Sequence, residues 1–201
     1  MNALPAATPD GCHTDVARIL FSATAIAARV GALGHMISAD YQERDPVLVG
    51  VLKGVAPFMS DLIRTLTIAC SLDFLSIEAY GGRRASGAVQ IVKDLDLSVT
   101  GRHLLMVEDI IDTGLTLHYL LRWLSARGPA SIAVCTLLDR PRRRLVDLPV
   151  VYQGFQIADE FVVGYGLDYR ERYRYLPYLG VLRTDVYKKT QTAGMLETSA
   201  V

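Results

Sequence analysis

The chain lacks a charge imbalance, a disulfide framework and any apolar run long enough to cross a bilayer. Its 21 Lys and Arg residues are matched by 21 Asp and Glu residues, for a formal net charge of +0. Without net basic charge there is no global field to draw in nucleic acid, and no nucleic-acid partner is expected. The three cysteines, Cys12, Cys70 and Cys135, are widely spaced and odd in number. That pattern excludes a zinc spacing and a paired disulfide scaffold, and it predicts a reducing compartment. Cys135 lies in an apolar strand pattern and reads as a small core residue. The first residues show no basic region leading into an apolar core, so no secretory signal is predicted. No apolar run reaches spanning length, and the expectation is a soluble, cytoplasmic protein. No internal repeat or low-complexity linker is present. No glycine-rich turn follows a first strand with an acid further on, which removes a dinucleotide-binding reading. Arg142-Arg143-Arg144 is the one dense basic cluster, and it reads as a solvated loop.

What is present is an ordinary globular composition: 201 residues, 51% hydrophobic and 21% charged. That length suits one well-buried domain. The expected organisation is a loose tail over 1–14, a single domain over 15–189 and a polar tail over 190–201. Helical spacing runs from Ile19 to about Tyr41, with Ile26, Val30, Leu33 and Ile37 on one stripe. Pro46 to Leu52 is a continuous apolar run, as in a strand buried on both faces. A helix over Val55 to Leu66 and a strand over Leu72 to Tyr80 follow. Gly81 to Ala88 is glycine-rich and short of anchors, so it reads as mobile. Strands are predicted over Val89 to Val92, His103 to Val107, Ile132 to Leu138, Val150 to Ile157 and Phe161 to Val163. A helix over Leu115 to Ala126 stops at Gly128-Pro129. The alternation predicts an α/β fold, an open and mostly parallel central sheet flanked by helices. Ligands of such sheets bind beyond the carboxyl ends of the strands.

The most informative stretch is Leu104-Leu105-Met106-Val107-Glu108-Asp109-Ile110-Ile111-Asp112-Thr113-Gly114-Leu115-Thr116. Four apolar residues make a buried strand, and Glu108 and Asp109 stand where it is expected to end. Asp112, Thr113, Gly114 and Thr116 form a turn rich in N–H groups and hydroxyls. The helix after it opens on unpaired N–H donors and the positive end of its dipole. A phosphate cradle beside a carboxylate pair suits a phosphorylated sugar. The whole run resembles the phosphoribosyl-pyrophosphate (PRPP) signature of the type I phosphoribosyltransferases. Its form, Val-Glu-Asp-Ile-Ile-Asp-Thr-Gly, is similar to the hypoxanthine-guanine branch, whose fold adds a small hood region and a flexible active-site loop.

Three further motifs carry the same resemblance. Leu52-Lys53-Gly54 ends the first buried strand with a compact positive charge and a permissive glycine. In the family this tripeptide binds pyrophosphate through backbone groups, often across a cis peptide. Ala79-Tyr80 stands where the family has Ser-Tyr on the closing loop. A backbone contact survives that change and a hydroxyl contact does not, a difference of about 1 kcal/mol. Leu137-Leu138-Asp139-Arg140-Pro141 places Arg140 where the family has a lysine that donates to the exocyclic oxygen of the purine. Arg140 either reaches the base in a shifted pose, alters base preference or points elsewhere, since its planar fork is less adjustable.

The second long match is Glu160-Phe161-Val162-Val163-Gly164-Tyr165-Gly166-Leu167-Asp168-Tyr169. The resemblance assigns Phe161 to stacking on the purine, Val162 to the base edge through its backbone, and Asp168 to the base site and to magnesium. Arg174 matches a pyrophosphate-binding arginine, whose fork suits phosphate oxygens. The resemblance further assigns Glu108 and Asp109 to the ribose hydroxyls and to magnesium, and Ile110 to both the nucleotide and the base. Ile111, Asp112, Thr113, Gly114, Leu115 and Thr116 belong to the 5′-phosphate site, with Asp112 also the general base near purine N7. The implied activity is Mg2+-dependent transfer of phosphoribose from PRPP to hypoxanthine or guanine, by a homodimer or homotetramer. Two other readings stand beside it: a xanthine-preferring enzyme, and a nucleotide-sensing regulator on the same fold.

Overall fold

Six strands of the chain line up in the order β4-β3-β2-β5-β6-β7, and that order decides where a ligand can sit. The computed structural model describes residues 12–79 and 89–187. Tyr80, the expected loop 81–88, residues 1–11 of the first expected tail, residues 188–189 and the whole expected tail 190–201 lie outside the described residues. The elements run β1 (Val16–Phe21), α1 (Ala23–Asp40), β2 (Val47–Leu52), α2 (Ala56–Ile63), β3 (Ser71–Ala79), β4 (Val89–Lys93) and β5 (His103–Ile111). They continue with α3 (Leu115–Ser125), β6 (Ser131–Asp139), β7 (Val150–Gln156), β8 (Val162–Val163) and β9 (Leu179–Leu182). The chain divides into two compact units, residues 27–159 and residues 1–26 with 160–201.

The larger unit holds the six-stranded sheet. β2 pairs in parallel with β3 and with β5, and β5–β6 and β6–β7 are also parallel; β3–β4 alone is antiparallel. The apolar run Val47-Leu48-Val49 is fully buried, as a central parallel strand demands. Leu104, Leu105, Met106 and Val107 are likewise at 0% exposure, and each such side chain contributes about 1.5–3 kcal/mol of burial. The helical stripe Ile26, Val30, Leu33 and Ile37 is buried as its spacing predicts. Helix α3 buries Leu117, Leu120, Leu121 and Leu124, the i, i+3, i+4, i+7 face of an amphipathic helix. The order reverses between β2 and β5, so their carboxyl ends flank the switch point where open α/β sheets bind ligands.

The smaller unit carries a second sheet, ordered β1-β9-β8 and antiparallel throughout. One expectation changes here. Helical spacing was expected from Ile19, yet Ile19 to Phe21 belong to β1, paired with Leu179 to Leu182 of β9. Pairing across the sequence overrides a local apolar period that continues smoothly into α1. β9 itself, only four residues long, carries no local signal. His13 is buried and its backbone N–H donates to the Tyr178 hydroxyl at 2.8 Å. Tyr173 donates to Asp15 at 2.8 Å in the same region.

Candidate active site

β5 does not end at Val107. It continues through Glu108, Asp109, Ile110 and Ile111, with Glu108 in register with Thr136 and Ile111 with Asp139. The acidic pair therefore lies on a paired strand, not on a loose end. Ladder pairing with β6 makes this a more rigid placement than a loose end. Ile111 turns its side chain into the core at 2% exposure, and its carbonyl accepts the Arg140 N–H at 3.0 Å. Asp109 accepts its neighbour's Ile110 N–H at 2.7 Å.

Burial first, and the adjacent Asp109 charge second, push the Glu108 carboxyl well above its ordinary value of 4.5. Two neighbouring acids, both only partly exposed, form a site whose repulsion a cation or a pair of hydroxyl donors relieves. The sign of the linkage follows. An acid with a raised folded value destabilises the fold once it must ionise, so the penalty is absent below the ordinary value and grows as pH rises toward the folded value. Glu108→Gln in metal-free buffer should therefore be more stable than wild type at alkaline pH, with the gain vanishing as pH falls to about 4.5. Urea denaturation across pH measures it. A gain that grows toward acid pH would contradict the placement.

The turn after β2 meets this pair. The Leu52–Lys53 peptide is cis, as the resemblance implies. A Cβ built on Gly54 would run into the Asp109 carboxylate, so only glycine lets this turn lie so close. Gly54 and Asp109 are thus brought together, with Leu52, Lys53 and Glu108 their neighbours along the chain. Ala79, the last residue of β3, pairs with Val89 of β4.

The turn after β5 is shaped for an anion. Gly114 is left-handed at φ 79 and starts α3, and no side chain caps the helix. A Cβ at Gly114 would meet Leu148 Cδ1 at 2.9 Å and Val146 Cγ2 at 3.2 Å, so conformation and space both require glycine. The Leu115 N–H reaches the Thr113 hydroxyl oxygen at 3.5 Å, a long contact that leaves the opening amides of α3 open to a ligand. Leu145 N–H donates to the Thr113 carbonyl at 2.9 Å and pins the turn from outside.

The arginine cluster is solvated in part, as expected, with Arg142 and Arg143 exposed, but Arg143 and Arg144 also pair with acids. Pro141–Arg143 form a short 3-10 turn directly after β6. Arg144 makes a two-pronged pair with Asp139, Nε at 2.9 Å and Nη2 at 2.7 Å, and Asp139 is 1% exposed. Gln153 also donates to Asp139. Arg143 pairs with both Asp112 and Asp159, each at 2.8 Å. Arg140 approaches Asp112 at 3.5 Å. Asp112 is therefore flanked by two guanidinium groups that the sequence reading did not connect to it. The signal available was Arg140-Pro141-Arg142-Arg143-Arg144 lying one residue beyond a strand end, where a charge run in an α/β protein faces the ligand ground.

The smaller unit contributes its own group. Phe161 is half-buried, with Tyr187 stacked on it at 5.3 Å and Tyr169 edge-on at 5.5 Å. Its carbonyl accepts the Leu182 N–H at 2.8 Å. β8 is an edge strand, so in the alternation of an antiparallel pair the N–H and C=O of Val162 point to the open side. Asp168 and Arg174 are brought together at 2.9 Å, and Asp168 also accepts the Glu171 N–H at 2.8 Å. Arg174 donates to the Gly166 carbonyl at 2.7 Å, while its Nε is buried with no hydrogen-bond partner among the described residues. Tyr165, Arg170, Glu171 and Tyr173 all have positive φ in this loop, a costly set of conformations that clusters at ligand sites.

Neighbouring acids at the switch point, a turn with open amides and nearby arginines are the groups an α/β transferase needs for a phosphorylated compound. A family model for the phosphoribosyl transferase domain matches residues 18–170, and the chain belongs to that family. The chain is 47% identical over 175 residues to the hypoxanthine-guanine phosphoribosyltransferase of Bacillus subtilis, covering 87% of this chain and 97% of that protein. It is 44% identical over 181 residues to the bifunctional protein TilS/HprT of Listeria innocua, of which it spans 28%. A crystal structure of a hypoxanthine phosphoribosyltransferase from Staphylococcus aureus superposes with a TM-score of 0.83 at 45% identity, covering 86% of this chain and 95% of that one. These relatives bear out the phosphoribosyltransferase fold expected from the sequence.

Proposed function

We propose that the chain transfers the 5-phosphoribosyl group of PRPP to N9 of hypoxanthine or guanine, giving IMP or GMP and pyrophosphate. The observation that carries this reading is the close approach of Gly54 to the Asp109 carboxylate, next in the chain to Glu108, together with the uncapped opening of α3 that follows the same strand. A ribose between its two phosphate groups needs that sequence of partners. Support comes from relatives with this activity in their names that match the chain over most of its length.

Each part has a job in this reading. Glu108 and Asp109 hold the ribose hydroxyls. The amides and hydroxyls of 112–116 hold the 5′-phosphate. Lys53, Gly54 and Arg174 neutralise the pyrophosphate, with Ala79 and Tyr80 contributing at the loop. As the C1–O bond to pyrophosphate breaks, the C1–N9 bond forms, and the purine's N7 proton passes to Asp112. Charge neutralisation on the leaving group is the main electrostatic contribution. Phe161 stacks on the base, worth about 1–3 kcal/mol, and Val162 meets its edge through the backbone; Ile110 and Asp168 are also assigned to the base.

The donor set fits a hard divalent cation. Glu108, Asp109 and Asp168, the acids assigned to it, offer only oxygen. Mg2+ has that habit, taking one or two carboxylates plus water and substrate phosphates. When bound it would supply Lewis-acid charge to the pyrophosphate. The oligomer is proposed to be a dimer or tetramer, measurable by light scattering. No helix among the described residues is long and apolar enough to cross a membrane, and the protein is proposed to work in the cytoplasm. The internal pairing of Arg143 and Arg144 leaves little of the basic cluster for a regulator's RNA contact.

The test is pyrophosphate release from PRPP with hypoxanthine, guanine, xanthine, adenine and uracil, with Mg2+ and with EDTA. Release is expected with the 6-oxopurines and Mg2+ only. No release with any purine would overturn the reading. In the same assay Arg140→Lys should sharpen discrimination against adenine by about tenfold, one hydrogen bond's worth to the exocyclic oxygen. Unchanged preference and efficiency would remove Arg140 from base recognition.

A further inference from the structure

We infer that Arg143 is a positioning residue for the transfer: it fixes Asp112 by one carboxylate oxygen and leaves the other for the purine. The inference rests on Asp112 being the proton acceptor of the proposed reaction. Arg143 Nε lies 2.8 Å from Asp112 Oδ1, and Arg140 Nη1 lies 3.5 Å from the same oxygen. Both approaches converge on Oδ1. A carboxylate otherwise spins freely about its last torsion, which is broad and roughly two-fold. Proton transfer needs an acceptor within hydrogen-bond reach of the proton, and geometry comes before basicity. A planar guanidinium anchored at both ends is suited to hold such a group still.

Arg143 is anchored at its other end. Its Nη1 lies 2.8 Å from Asp159 Oδ1, so Asp159, Arg143 and Asp112 form a chain of alternating charge. The side chains of Asp112 and Arg143 are each 41% exposed and that of Asp159 is 61% exposed. Pairs so open to water add little to stability. The fold could dispense with them, which leaves orientation as their use. The backbone supports this too: Arg143 N–H donates to the Arg140 carbonyl at 2.9 Å, and Leu145 N–H holds the Thr113 carbonyl at 2.9 Å, so the 3-10 turn and the residue after Asp112 move as one.

The experiment is a cycle of Asp112→Asn, Arg143→Gln and the double variant, assayed by PRPP and hypoxanthine kinetics, with thermal melts alongside. Arg143→Gln should lower kcat by about tenfold, leave KM for PRPP within about twofold, and leave the melting temperature in place, as expected for a lost orienting contact. Arg143→Lys should recover part of the loss, since an ammonium reaches one carboxylate but lacks the fork. In the Asp112→Asn background, Arg143→Gln should cost nothing further. Wild-type kcat for Arg143→Gln beside a crippled Asp112→Asn overturns the positioning role and leaves the proposed reaction standing. An undiminished loss in the double variant overturns it equally, by showing that Arg143 acts elsewhere. Normal turnover by Asp112→Asn would instead sink the reading of Asp112 itself.

Discussion

Asp112→Asn should lower kcat for nucleotide formation by about 10²- to 10⁴-fold, the range measured for loss of a general base. The amide matches the carboxylate in shape and keeps an oxygen for the Arg143 Nε that now lies at 2.8 Å. It cannot take a proton. The purine's N7 proton then has only water to receive it, and the developing positive charge on the base persists into the transition state. Binding of PRPP should change little, because the amides of Thr113 to Thr116 and the uncapped opening of α3 remain. The expected signature is a collapse of kcat with nearly constant KM, which marks an interaction made only in the transition state. Steady-state kinetics with hypoxanthine and PRPP decide it, and a kcat within about threefold of wild type removes Asp112 from proton transfer.

The second large effect is on stability. Asp139→Ala should cost about 3 kcal/mol, measured by urea denaturation at neutral pH. Asp139 is 1% exposed and closes the carboxyl end of β6, where Arg144 grips both of its oxygens and Gln153 donates a third contact. Arg144, at 22% exposure, is left beside the hole without its counter-charge. Breaking a buried pair from one side costs more than the pair was worth, because the surviving charge stays desolvated. The loss should also reach the site, since Arg140 N–H and the Ile111 carbonyl are joined at 3.0 Å beside it. Asp139→Asn keeps one acceptor oxygen for these donors and should fall between wild type and alanine. A loss below about 1 kcal/mol for the alanine variant would show that Arg144 swings into water.

The residues that could be read from the sequence share one property: their signal is local. The apolar run Val47 to Leu52, the stripe Ile26, Val30, Leu33 and Ile37, and the signature from Leu104 to Thr116 each announce themselves within a few turns or a single strand, and the structure places them so. What was misread depends on distant partners. β1 exists because Val16 meets Leu182, far along the chain, and the periodicity around Ile19 could not show it. β5 runs on to Ile111 because Thr136 and Leu138 are there to pair with it. Nothing in Arg142-Arg143-Arg144 names the partners of its last two residues, which are Asp112 and Asp159 for Arg143 and Asp139 for Arg144. Charge composition shows that such pairs are possible and only topology chooses among them.

The unpaired side of β8 has an outcome for how this enzyme can change its substrate. If the main chain at position 162 reads the base, the amino acid there can vary without altering what is read. Exchanging the letter leaves the peptide's donor and acceptor in place. A new nucleobase would then have to be won by shifting the path of the polypeptide or by rewriting position 140, and the first of these disturbs every neighbour that β9 holds in line.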